Sequence, residues 1–193
     1  MNIKHDKEKA LKIGYQLFWC KGYNNLGVEE ICKTTGMTKG AFYNAFKSKE
    51  NFLLLAVRAY GDMNVDYLNK QLNHNKEKAI DRIMNMYKGM FENQPSQNYI
   101  GCMNNNIMSE IGSSNELVGQ ITASEFEKLI AVIEPVVQEA QEDGDINALI
   151  NSKSITELFH TTFFGALTRA KSTKDYTQGI ATMTLVIQSL KTI

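Results

Sequence analysis

Residues 27–50, GVEEICKTTGMTKGAFYNAFKSKE, hold two short apolar-periodic segments on either side of a single glycine. Val28, Ile31 and Cys32 fall at i, i+3 and i+4, the spacing of one face of a two-turn helix. That helix ends at Gly36, where a residue able to turn left-handed lets the chain reverse. Beyond the turn, Thr38 offers a capping hydroxyl, Ala41 and Phe42 form an inner face, and Phe46 closes the segment against the first helix of the chain. Two-turn helices are marginal alone in water, so both need neighbours. Residues 6–21 supply one, with Leu11, Gly14, Tyr15, Leu17 and Phe18 on one stripe and a glycine at position 22 to end it. Residues 6–47 therefore read as three helices with a tight glycine turn between the second and third.

Apolar spacing is helical nearly everywhere else, interrupted only by Pro95 and Pro135, so the expected fold class is all-α. Ser48 is placed to cap a fourth helix reaching residue 72, with Glu50 in its first turn, where a carboxylate suits the helix dipole. Further helices are expected at 76–93, 103–112, 115–143, 154–172 and 175–191. Capping boxes at Ser113 with Glu116 and Ser154 with Glu157 mark two of the starts, while Thr122 with Glu125 gives the long helix an alternative start or a bend. A chain of 193 residues can be one large domain or a small one joined to a medium one. The pattern divides it at 1–47 and 48–193, and with no Gly/Ser linker the helix at 48–72 belongs to both parts. Rotation of one part then repositions the other.

The formal charge is zero but unevenly spread. Residues 1–60 hold ten Lys/Arg against five acids, a balance of +5, and residues 61–193 hold eleven against sixteen, a balance of −5. A basic start on an acidic body points to a polyanion partner for the first part alone, the alternative being a face of ordinary solvated lysines. Cys20, Cys32 and Cys102 are odd in number and widely spaced, and no secretory or membrane-spanning apolar run accompanies them, so a reduced, cytoplasmic protein without membrane association is expected. His5, His74 and His160 are isolated and there is no CxxC, so neither a metal site nor a cofactor is expected.

On the helix starting at Thr38, the residues left outside are Thr38, Lys39, Gly40, Tyr43, Asn44 and Lys47. They form a hydrogen-bonding surface of little bulk, and a major groove admits one such helix while its N-terminal amides meet phosphate. Gly40 lets the backbone approach the strand. Three-helix units also serve as protein-interaction modules, which is the competing reading. The run GYNNLGVEEICKTTGMTKGAFYNAFKSKENFL, residues 22–53, resembles the N-terminal signature of the TetR (tetracycline-repressor) family of bacterial transcription regulators. The matching positions are Gly22, Tyr23, Val28, Ile31, Gly36, Thr38, Lys39, Gly40, Tyr43, Phe46, Lys49 and Glu50. Gly27 stands where a capping Ser or Thr is usual, and Phe42 replaces the commoner Leu. The resemblance implies an N-terminal helix-turn-helix DNA-binding domain, a C-terminal helical ligand-binding and dimerisation domain, and a homodimeric repressor on a palindromic double-stranded operator. It also implies that Thr38, Lys39, Gly40, Tyr43 and Asn44 face DNA, with Tyr43 and Lys49 on phosphates.

In the acidic body, flexible thioethers and aromatics suit an apolar small-molecule effector, and Met86, Met90, Met103, Phe126 and Phe163 are candidate lining residues, the alternative being plain core. The last helix repeats Tyr176, Ile180, Met183, Ile187 and Leu190 at heptad spacing, and the helix before it offers Phe159, Phe163, Ala166 and Leu167. Together they suit a symmetric four-helix dimer interface, unless one stripe packs inside the monomer. Cys102 follows Gly101 at the start of a helix, where amide groups stabilise a thiolate. Some members of the family sense electrophiles or oxidants through such a cysteine; a buried inert thiol is the other reading. Two further functions compete. A cysteine enzyme would need a base near Cys102, and only the distant His160 is available. A dimeric small-molecule carrier without DNA binding is the second.

Overall fold

The computed structural model describes residues 3–73 and 76–191, with the side chains of residues 3–6 set aside, so His5 and His74 lie outside what is described. Among the described residues all regular structure is helical: α1 Ile3–Lys21, α2 Val28–Thr35, α3 Lys39–Phe46, α4 Lys49–Leu72, α5 Ala79–Glu92, α6 Met103–Ile111, α7 Glu116–Glu142, α8 Ser152–Thr173 and α9 Thr177–Ser189, with a 3-10 turn at Pro95–Gln97. The chain falls into two compact units, Met1–Met63 with Cys102–Glu125, and Asn64–Gly101 with Phe126–Ile193. The first unit thus takes in α6 and the start of α7, which lie far along the sequence from residues 1–47.

In the first unit the short helices are held by rings. Phe18 of α1, Phe42 and Phe46 of α3 and Phe52 of α4 are fully buried. Phe52 is the hub, with centroids 4.6 Å from Phe46, 5.3 Å from Phe42 and 5.9 Å from Phe18. Local chemistry sets the turns. Gly36 ends α2 at φ 73° with its amide on the Cys32 carbonyl, Thr38 Oγ1 accepts from Ala41 N at 3.1 Å, and Ser48 Oγ accepts from Asn51 N at 2.9 Å. Gly27 caps α2 with backbone alone. Cys32 is buried and Cys20 is exposed.

The second unit is built on Tyr87 and Phe91 of α5 with Phe159 and Phe163 of α8, all buried. Arg82, also buried, donates to the Leu72 carbonyl at 2.6 Å and pairs with Glu139. The starts of α7 and α8 differ from the expected capping boxes. Asn115 accepts from Val118 N at 3.1 Å and Asn151 from Ser154 N at 3.0 Å. Asparagine caps as well as serine, and each stands immediately before its helix, which leaves Ser113 outside α7 and Ser154 within the first turn of α8. Thr122 is an interior residue of α7, its hydroxyl on the Val118 carbonyl at 2.8 Å. No described helix is long and apolar enough to cross a membrane, and no group of three or more His, Cys, Asp or Glu that could hold a metal ion occurs among the described residues.

Gly14 tests the aromatic hub. A Cβ there would lie 2.4 Å from Cζ of Phe52, a ring locked on all sides. Gly14→Ala gains about 1 kcal/mol of helix propensity but overpacks the core at a cost of about 1–3 kcal/mol. The expected net result is a lower urea midpoint with an unchanged slope; a midpoint equal to or above wild type would show that the hub yields.

Candidate nucleic-acid interface

The outer side of α3 is assembled from residues with little else to do. Thr38, Lys39, Gly40, Tyr43, Asn44 and Lys47 are all exposed. The Thr38 hydroxyl oxygen occupies the Ala41 amide and Phe42 N bonds the Thr38 carbonyl, so the amides of Lys39 and Gly40 open the helix, where its dipole favours an anion. Gly40 costs the first turn about 1 kcal/mol relative to alanine, yet a Cβ placed there meets nothing within 4 Å. Among the described residues nothing calls for a glycine there. Its absent side chain leaves room for an object outside. Tyr43, 48% exposed, is braced edge-on against buried Phe42 at 5.5 Å and 81°, which holds the phenol outward.

The cations divide into two groups. Lys39 has only a loose, exposed contact with Glu29 at 3.9 Å, worth little in water. Lys47 is exposed with Nζ 3.1 Å from the Asn44 carbonyl, and its backbone sits at φ 68°, ψ −46°. Ser48 N reaches across it to the Phe46 carbonyl at 2.8 Å. That tight three-residue turn is strained for a side-chain-bearing residue, and such strain collects at functional positions.

Lys49 is placed otherwise than the resemblance implies. Its Nζ donates to the carbonyls of Tyr23 at 2.9 Å and Leu26 at 3.0 Å and lies 3.9 Å over the Tyr23 ring. Burial pushes its pKa down, against the opposing pull of Glu110. The ammonium is a bolt across the α1–α2 turn, where main-chain acceptors and an aromatic face draw it away from the exposed surface. The turn is gripped a second time by Glu110 of α6, whose carboxylate accepts from Tyr23 N and Asn24 N, each at 2.8 Å. Gly22, at φ 74°, is required twice there, since a Cβ would also stand 2.6 Å from Oε2 of Glu110. No sequence signal marks Glu110, which lies 87 residues from Tyr23.

The remaining candidates fall in both units. Cys102 is the N-cap residue of α6, 9% exposed, with Sγ 3.8 Å from the Tyr60 hydroxyl. Cys102 and Met103 belong to the first unit, and Met86, Met90, Phe126 and Phe163 to the second. Met86, Met103 and Phe163 are buried; Met90 and Phe126 are half-buried. Of the residues expected at a dimer seam, Phe159, Phe163, Leu167, Met183 and Ile187 are enclosed within their own unit and unavailable to a partner, while Ala166, Ile180 and Leu190 are half-buried. The buried side of α9 is Gly179, Met183 and Ile187, with Gly179 pressed against Phe91. The outward side carries Leu158 on α8 and Leu185 on α9, the latter 67% exposed. An open groove of about 290 Å³ runs along it between Thr162, Gly165 and Ala166 of α8 and Gln178 and Thr182 of α9.

Two short helices joined through a left-handed glycine, the second offering amides, a glycine, a phenol and lysines to the outside, define a helix-turn-helix DNA-binding protein. Comparison with known proteins agrees. The model for bacterial regulatory proteins of the tetR family matches residues 11–56, and that for the tetracyclin repressor-like C-terminal domain matches residues 78–184. The chain belongs to the TetR family of bacterial transcription regulators. It is 22% identical to the transcriptional repressor DhaR of Mycobacterium sp. strain GP1, over 95% of this chain and 91% of that protein. It is 27% identical to the transcriptional regulator AcuR of Cereibacter sphaeroides, over 85% of this chain and 75% of that one. The fold is that of reduced Escherichia coli NemR, with a TM-score of 0.85 at 21% identity over 97% of this chain and 98% of that one.

The bolt makes a prediction that a surface lysine would not. Lys49→Met should lower the unfolding free energy by about 1–3 kcal/mol, because two turn carbonyls lose a charged donor, and urea denaturation reads it directly. Unaltered stability would return Lys49 to the exposed face.

Proposed function

We propose that the chain acts as a cytoplasmic homodimeric repressor, that each α3 enters a major groove of a palindromic operator, and that a small-molecule effector releases it. Gly40 carries the reading of the face: a residue that weakens its own helix and packs against nothing in the chain makes sense where the backbone must approach another molecule. Lys39 and the Thr38–Gly40 amides meet one phosphate strand, Tyr43 and Lys47 the other, and Asn44 the base edges between them. The outward side of α8 and α9, with Leu158, Ala166 and Leu185, joins two copies so that the recognition helices fall roughly 34–36 Å apart. The division of labour runs at 47/48, with residues 1–47 reading DNA and residues 48–193 holding effector and partner.

Because each dimer presents Lys47 twice, Lys47→Ala should reduce the slope of log K against log salt by about 2 while leaving stability near wild type. Asn44→Ala should change which sequences are preferred. Leu185→Glu should give a monomer by sedimentation and lose the tight operator complex. A Lys47→Ala slope equal to wild type would refute the assigned face, and a Leu185→Glu dimer the assigned interface.

A second reading, compatible with the first, comes from α6. Cys102 caps one end of this helix and Glu110, near the other end, holds the α1–α2 turn. A thioether formed by addition of the Cys102 thiol across the double bond of N-ethylmaleimide adds a bulky group at a site only 9% exposed, and in this reading α6 shifts to accommodate it. The reagent should therefore release operator DNA from wild type and not from Cys102→Ser. Equal release from both would remove the cysteine from the mechanism.

A further inference from the structure

The second unit holds a buried polar atom that the fold itself leaves unused. His160 of α8 is 4% exposed and stands among rings: Phe164 meets it edge-on at 4.8 Å and 90°, and Phe126 at 6.2 Å and 84°. Its Nδ1 lies 3.4 Å from the phenol oxygen of buried Tyr87. Among the described residues its Nε2 has no hydrogen-bond partner. An unpaired buried polar group costs about 1–3 kcal/mol, so its retention calls for an explanation, of which a partner from outside the chain is one.

The tautomer follows from counting protons. Tyr87 is fully enclosed, and among the described residues its hydroxyl finds a partner only in His160. If Nδ1 carried the proton, the phenol hydrogen would be buried with no acceptor. If Tyr87 donates to Nδ1, both groups are paired and the ring proton sits on Nε2 as a free donor. Burial pushes the imidazole pKa down to about 4, so the ring stays neutral at neutral pH. The free group is then a neutral N–H that wants an acceptor, and an anion would gain no charge partner from it for its own burial. Phe126 and Phe164, the two rings edge-on to the imidazole, are only half-buried and pack against each other at 4.9 Å and 78°, so they are the rings whose rotation would have to admit a ligand.

We propose that Nε2–H of His160 is the polar anchor of an effector site beneath Phe126 and Phe164, and that its ligand is an uncharged molecule with a flat apolar body and one acceptor oxygen, in its simplest form an aryl ketone. The rings supply the apolar contact, and the single N–H fixes which end enters. The assignment rests on the effector-responsive reading above.

Acetophenone is the probe, with α-methylstyrene as the isostere that replaces the carbonyl by a methylene. In full-length protein carrying ¹⁵N-labelled histidine, the Nε2 resonance assigned by its loss in His160→Gln should start as the protonated nitrogen and shift as acetophenone saturates. Titration should show acetophenone binding about five- to tenfold more tightly than α-methylstyrene, as one neutral hydrogen bond allows, and His160→Phe should erase that preference. Equal affinities in the wild type, or a His160 resonance that stays still, as it would if only water filled the position, would overturn the site. The wild-type arm decides the matter even if the phenylalanine variant fails to fold. Operator binding by the unliganded protein is scored separately: its absence would sink the DNA-binding reading, and its presence with a silent His160 sinks this one alone.

Discussion

The candidate recognition surface depends on a cluster of four phenylalanines. Helices α2 and α3 have eight residues each, too few to persist in water unaided. Phe42 and Phe46 are spaced four apart and thus lie on one side of α3, so burying both against Phe52 and Phe18 fixes the rotation of that helix about its axis. At about 2 kcal/mol for each buried ring, the cluster far outweighs the poor propensity of a helix that contains Gly40. The same rotation that hides Phe42 and Phe46 is what turns Tyr43, Asn44 and Lys47 outward. Core and interface are two consequences of one packing decision.

A second constraint acts on the α1–α2 turn. Lys49 of α4 binds its carbonyls and Glu110 of α6 binds its amides, so opposite charges satisfy opposite ends of the same backbone segment. Each ion is compensated by peptide dipoles as well as by the other, which is how a half-buried lysine keeps its charge although burial lowers its pKa. The turn can then adopt only the geometry that both ends accept. Helix α6 also carries Cys102 at its first cap, which gives any movement of that helix a mechanical route to the turn preceding α2.

How far the sequence could be read varied with the range of the interaction. The turns at Gly36, Thr38 and Ser48 are visible because the chemistry that makes them lies within four residues. At α7 and α8 the same local rule misplaced the caps, since Asn115 and Asn151 stand one residue before the helix and outcompete a serine elsewhere in the box pattern. The heptad stripe of α9 announces a seam, but periodicity does not say what covers it; Met183 and Ile187 are buried within the chain, beside Gly179 and the Phe91 ring of α5. Lys49 and Glu110 were beyond reach for a different reason. Charge counting treats all lysines alike, and a carboxylate 86 residues from the amide of Asn24 leaves no pattern in the chain.

His160 shows why an isolated histidine is hard to read from sequence. A single imidazole among phenylalanines is apolar enough to look like core, and burial makes it so by suppressing its charge. Yet an imidazole in a hydrocarbon setting still has two nitrogens to satisfy, and Tyr87 can serve only one of them. A phenylalanine at the same position would fill similar space without that cost. The polar atom is therefore informative in proportion to how poorly it suits its surroundings. The same logic identifies Gly40, which weakens its helix with no return inside the chain. In both cases the fold bears a small local penalty that its own contacts do not relieve, and the relief is to be sought in a second molecule: a DNA strand against α3, and an acceptor oxygen against α8.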